Sequence, residues 1–368
     1  MDGSAGDAAI FGVVLALRLL VPLLVFRFPL PSILASLVID AVDQTVFQTF
    51  TDIDLTFYQS YDKALDIYYL ALAYISTMRN WGHIGAFEIS RWLFYYRLVG
   101  VAIFELTGAQ YRTLLLVFPN TFEYFFIALS VVALLWRPLS VSTRGWLLTA
   151  AAIWIFVKLP QEWWIHVAQL DFTDAVSENT WFAVLVVVAI LAGAAILWFI
   201  VRPRLRPPDH ALQVRSEDLP GGLDRGEVRR AGRLARGTVL DVLLLEKVAL
   251  VTLVSAIFAS ILPGVEATTV QIALAVAVVV TVDSAVGLAA ARAGRGFDAA
   301  WSTFLALAAV NLAFVLLARF VLPGEPHLDL PVTMFFLLLL TLIVSLFDRY
   351  APVNALRRRD WDARVRRR

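Results

Sequence analysis

The chain has 368 residues, of which 60% are hydrophobic and only 17% charged, with a formal net charge of +1. Soluble domains run nearer half apolar and a quarter charged, so the excess apolar residues ask for a lipid solvent rather than a larger core. No cysteine is present, which excludes disulfides, thiolate metal sites, iron–sulfur clusters and a Cys nucleophile; the net charge argues nothing about nucleic acid, and no nucleic-acid partner is expected.

The first nine residues carry Asp2 and Asp7 and no basic residue. A secretory signal needs a positive n-region and a small-residue cleavage site, so the first apolar block is expected to be retained. Apolar blocks long enough for a spanning helix follow at 8–26, 31–48, 63–80, 88–106, 112–136, 145–160, 178–201, 239–262, 268–291, 298–321 and 329–349. The block 31–48 is short and holds Asp40, Asp43, Gln44 and Gln48. It reads either as a span or as a re-entrant or interfacial helix. The expected class is an all-α polytopic integral membrane protein of 10–11 transmembrane helices.

Arg and Lys in short loops set the orientation. Arg202, Arg204 and Arg206, then Arg225, Arg229, Arg230, Arg233 and Arg236, mark a basic connector, and Arg357, Arg358, Arg359, Arg364, Arg366, Arg367 and Arg368 a basic tail. Both are expected in the cytoplasm. Arg79, Arg91, Arg137, Arg144, Arg292 and Arg295 fall on the same side, and Asp52, Asp54, Glu162, Asp171, Asp174, Glu178, Glu266, Glu325 and Asp329 on the other. The N-terminus lies outside if 31–48 spans and inside if it does not. Only Lys63, Lys158 and Lys247 among the 31 basic residues are lysines. With the Ala content, this bias suggests a GC-rich bacterial genome and hence a bacterial plasma membrane.

The composition divides the chain into an N-terminal bundle (1–201, six or seven spans) rich in aromatic and charged residues, a linker (202–236) rich in Pro, Gly and Arg, a plainer four-helix bundle (237–350) and the tail (351–368). The bilayer is the expected partner. Residues 225–236 suit either an amphipathic helix on anionic lipid or a solvated connector, and the tail is a second candidate for anionic-lipid contact. The Ala- and Val-rich spans could supply a dimer face. No internal repeat is visible.

An ionisable residue at the bilayer centre costs roughly 2.5–3.5 kcal/mol on insertion scales, so it needs a partner or a task. By position in their blocks, Arg18, Asp40, Asp43, Arg97 and Glu123 are deep, as are neutral Asn120 and Asn311. Lys63, Asp66, Glu105, Arg112, Glu246, Lys247 and Arg319 fall nearer the interfaces, where long side chains snorkel. Pro119 removes a backbone donor and should break its helix. Asn120 and Glu123 then share a face beside the break, with Arg97 on the preceding span as a partner. A broken helix with a mid-span carboxylate suits an ion, proton or polar-substrate site, and also a structural ion pair. Asp40 and Asp43 share a face too, with Arg18 across the hairpin.

The stretch from Tyr58 to Tyr69 holds Asp62, Lys63 and Asp66 among tyrosines, a pattern of interfacial anchors or of a groove for lipid head groups or sugars. Glu88 and Arg91 are spaced to pair, next to Trp92, Tyr95 and Tyr96. Glu162 and His166 stand one turn apart beside Trp163 and Trp164. One His is thin for a metal, and a half-buried helix on the outer surface is the plainer reading. Asp52 and Asp54 form an Asp-x-Asp that also recurs as Asp360-Trp361-Asp362. No Gly-rich phosphate loop or Gly-x-Ser-x-Gly elbow is present, and no cofactor or metal is expected.

Two functions compete. A transporter or permease would use a midplane site of Arg97, Asn120, Glu123, Asp40 and Asp43. A lipid- or lipid-linked-sugar-processing enzyme at the outer leaflet would use Asp52, Asp54, Asp62, Asp66, Glu162 and His166. An assembly subunit whose charges only join helices is the third reading.

Overall fold

The structure, a computed structural model, describes residues 5–52, 58–108, 110–168, 179–208, 214–216, 242–261, 269–292, 308–309 and 330–365. Among these the chain is all-helical, with no strand. The helices are α1 (Ala5–Leu20, continued as a 3-10 turn Val21–Phe26), α2 (Pro29–Phe50), α3 (Tyr58–Asn80), α4 (Ile84–Leu106), α5 (Thr113–Val117) and α6 (Thr121–Leu135). Next come α7 (Thr143–Ile153), α8 (Leu159–Glu162), α9 (Thr180–Ala195), α10 (Val242–Ile261), α11 (Thr269–Arg292) and α12 (Leu330–Val365). Ten of the eleven apolar blocks thus carry helix, while almost all of 298–321 lies outside the described residues.

Five stretches are long and apolar enough to cross a membrane: Gly6–Phe26, Pro29–Phe50, Thr113–Leu135, Thr180–Arg204 and Leu337–Ala355. The ambiguous 31–48 block is one unbroken helix of 22 residues, about 33 Å at 1.5 Å per residue. Pro29 opens it, where a missing N–H costs nothing, and the Thr51 hydroxyl closes it on the Phe47 carbonyl at 2.7 Å.

The described residues form two compact units, 1–84 with 215–368 and 85–214. In the first, α3 is the central helix and touches α1, α2, α10 and α12. It has no Pro or Gly to interrupt it, and Ala71, Leu72, Tyr74 and Ile75 are wholly buried, as expected of a helix with neighbours on every side. Tyr68 and Tyr69 are core residues rather than surface anchors, and the Tyr68 hydroxyl donates to the Leu19 carbonyl at 3.1 Å.

In the second unit the turn that follows α4 closes at Gly108, whose positive φ of 68° lets its N–H reach the Glu105 carbonyl. Gly100 faces Phe118 so closely that a Cβ there would overlap its ring. The Ser142 hydroxyl caps α7 by accepting the Gly145 N–H at 3.1 Å. From α7 the chain continues as one helical run to Val167, through π turns at Trp154–Lys158 and Trp163–Val167. Pro160 sits between them and cannot donate to the carbonyl four residues back. The wider turns absorb that misfit. The expected boundary between a span ending at 160 and an outer surface helix is therefore absent. In contrast to α3, the run Thr180–Arg204 buries none of its described side chains, and Phe199 is 74% exposed. Of the expected linker, only 202–208 and 214–216 are described.

Candidate functional site

The apolar stretch 113–135 is broken at the position Pro119 dictates. α5 stops at Val117, α6 starts at Thr121, and Asn120 takes a non-helical conformation between them. The Phe118 carbonyl left over by the break accepts from Arg97 at 2.9 Å. On the other side, Glu162 Oε1 accepts the backbone N–H of Asn120 at 3.2 Å, so a carboxylate sits at the positive end of α6. Asn120 donates its side-chain amide to Glu123 Oε2 at 3.0 Å.

Lys158 completes this cluster. Its ammonium donates to Gln161 Oε1 at 2.9 Å, lies 3.7 Å from Glu162 Oε1 and stands 4.4 Å over the Tyr124 ring. Asn120 is 9% exposed, Thr121 1%, and Glu123, Lys158 and Glu162 4% each. Three buried polar atoms here have no hydrogen-bond partner: Arg97 Nε, Asn120 Oδ1 and Thr121 Oγ. The structure places Arg97, Asn120 and Glu123 at this break, with Arg97 on a backbone carbonyl where Glu123 was expected. The sequence reading missed Lys158 and assigned Glu162 to the other side. The signal was present in the i, i+4 spacing of Lys158 and Glu162 around Pro160.

A second cluster lies in the other unit. Arg18 of α1 donates to Asp62 at 2.8 Å and Asp66 at 2.9 Å, both on α3, and also pairs with Asp40 and Asp43 on α2. Arg18 and Asp43 are buried, whereas the Asp40, Asp62 and Asp66 side chains keep 29%, 26% and 28% exposure. The carboxylates of those three lie within 4.8 Å of one another, a spacing that a divalent cation accepts. The expected pairing of Arg18 with Asp40 and Asp43 is present. Asp62 and Asp66, assigned from sequence to the rival outer-face site, join the same group.

Of the remaining outer-face candidates, Asp52 is exposed. Asp54 and the His166 side chain lie outside the described residues, as do Asn311 and the Lys63 side chain. Glu88 and Arg91 pair at 2.7 Å as their spacing predicts.

One contact set joins the late helices to each other, and another ties them to α3. Lys247 is 2% exposed and donates to Asp348 at 3.0 Å and Ser284 at 2.5 Å, joining α10, α12 and α11. It is therefore a buried ion pair rather than a snorkelling lysine. Glu246 accepts from the Tyr74 hydroxyl on α3.

At one end of the first unit, the Arg27 carbonyl accepts the Ser216 N–H at 2.7 Å, the Val25 carbonyl accepts from Asn80 at 3.3 Å, and the Trp81 carbonyl accepts from Arg357 at 3.1 Å. Phe26 and Tyr350 stack there at 5.0 Å. Burial, and then the nearby Arg79 charge, push the Arg357 guanidinium down to about 10. Comparison with protein-family models, curated proteins and solved structures finds no match to this chain.

Proposed function

We propose that this chain is a multi-pass protein of a bacterial plasma membrane with its tail in the cytoplasm, working as a transporter or permease through the break between α5 and α6. The five long apolar helices support the membrane reading. The orientation is supported by the convergence of Val25–Arg27, Asn80–Trp81, Ser216 and Tyr350–Arg357 at one end of their unit. These are the segments that the placement of Arg assigns to one side. Asp62 lies 17 residues from Arg79 along α3, roughly 25 Å of helix, so the aspartate cluster belongs to the outer half.

The observation that carries the transport reading is the broken helix itself. Arg97, Asn120, Glu123, Lys158 and Glu162 gather at an interruption within an otherwise apolar stretch of 23 residues. Non-helical backbone at that depth is tolerated where it lines a polar path, and half-helix ends serve as solute sites. The test is flux of ionic and neutral solutes into proteoliposomes. Flux above empty liposomes that is lost in a well-folded Glu123→Gln supports the reading. A Glu123→Gln that is only unstable makes the cluster a structural brace.

The convergence of Asp40, Asp62 and Asp66 favours a second reading, a cation-dependent enzyme acting on lipid-linked phosphate at the outer leaflet. Saturable Mn²⁺ binding lost in Asp66→Asn supports it, and no saturable binding removes it.

A further inference from the structure

A helix N-terminus ordinarily invites an anion, because its N–H groups are unpaired and its dipole is positive. At α6 that place is taken from within the protein, since Glu162 accepts the Asn120 N–H. The four charges that meet there, Arg97, Lys158, Glu123 and Glu162, sum to zero. Such a cluster gives no electrostatic advantage to a charged guest, and each added charge would carry its own desolvation cost.

What the break lacks is hydrogen bonding. Arg97 Nε–H is a donor without an acceptor, Asn120 Oδ1 an acceptor without a donor, and the Thr121 hydroxyl can act as either. Asn120 and Thr121 follow Phe118 by two and three residues, and the Phe118 carbonyl holds Arg97, so all three atoms belong to residues at, or bonded to, one interruption of the backbone. Both residues are more than nine-tenths buried, and an unpaired polar atom at that burial is costly. A guest that both donates and accepts, and carries no charge, meets all three requirements.

We propose that the break between α5 and α6 binds an uncharged, hydroxyl-bearing solute of the polyol class, whose hydroxyls bridge Arg97 Nε–H, the Thr121 hydroxyl and Asn120 Oδ1. This deepens the transport reading and rests on it. Glu162 and Lys158 act as internal counter-charges that close the site to anions, and Arg97 orients the first hydroxyl.

The experiment is stopped-flow light scattering on proteoliposomes challenged with glycerol or erythritol, with sodium gluconate and choline chloride as charged comparators and an impermeant osmolyte for water. The expected result is glycerol and erythritol entry well above empty liposomes, with no gain for the charged solutes. Thr121→Val, equal in shape but without the hydroxyl, lowers the neutral flux about ten-fold, the scale of one lost hydrogen bond, while Thr121→Ser retains it. Acceleration of water alone overturns the proposal, because the three atoms then hold only water. So does neutral flux unchanged in Thr121→Val. Flux of charged solutes without neutral ones overturns the proposal and leaves the transport reading standing. No flux of any solute overturns both.

Discussion

Glu162 accepts the backbone N–H of Asn120 at 3.2 Å across 42 residues of chain. It supplies from a neighbouring helical run the anion that the start of α6 would otherwise take from solution. A carboxylate that looked like part of an outer loop is thus the stopper of a helix break. Lys158 one turn earlier, 3.7 Å away, balances its charge.

The pair should behave as a unit. Lys158→Met strands a buried carboxylate and is expected to cost about 3 kcal/mol, and Glu162→Gln strands the ammonium at a similar cost. The double variant should cost less than the sum. A double-mutant cycle by unfolding in detergent measures the coupling, and simple additivity would show that the two charges are solvated independently.

Arg18 pairs with four aspartates, Asp40 and Asp43 on α2 and Asp62 and Asp66 on α3. Removing it as Arg18→Gln leaves adjacent carboxylates with less to offset their repulsion. We expect a large fall in thermal stability, partly restored by Asp43→Asn because Asp43 is the fully buried member. Equal stability of Arg18→Gln and the parent would mean that the carboxyl groups hold protons in place of the arginine.

Gly100 should tolerate nothing larger. A Cβ there would overlap Phe118 Cβ and Cγ, and Phe118 presents the carbonyl that holds Arg97. Gly100→Ala is expected to destabilise by about 1–3 kcal/mol through overpacking and to lower flux by shifting the break. Wild-type melting and flux in this variant would show that the ring moves aside freely.

The natural chain has no cysteine, so single cysteines report topology without background. Asp52→Cys should react with a membrane-impermeant maleimide on intact cells, and Arg368→Cys only after permeabilisation. The reverse pattern would invert the proposed orientation.

Much of the fold was legible because it is local. A spanning-length apolar block forms a helix on its own hydrogen bonds, and helices stand in ten of the eleven expected blocks. Pro119 breaks its helix because a missing N–H acts within one turn, whatever packs nearby. The i, i+3 pair Glu88–Arg91 formed for the same reason. The block expected to end at 160 runs on, since two π turns carry the helix past Pro160.

Which charges meet was decided only by the tertiary structure. Arg18 reaches Asp66 across 48 residues, Lys247 reaches Asp348 across 101, and Tyr74 reaches Glu246 across 172. None of these separations has a period that a sequence displays. The sequence by itself determined the helices and the break at Pro119, because backbone hydrogen bonding and the cost of burying charge act residue by residue. The tertiary structure decided that Glu162 and Lys158 belong to the break, and that Asp40, Asp43, Asp62 and Asp66 share one arginine. A helix specifies which face a side chain occupies, but only packing determines which other helix that face will meet.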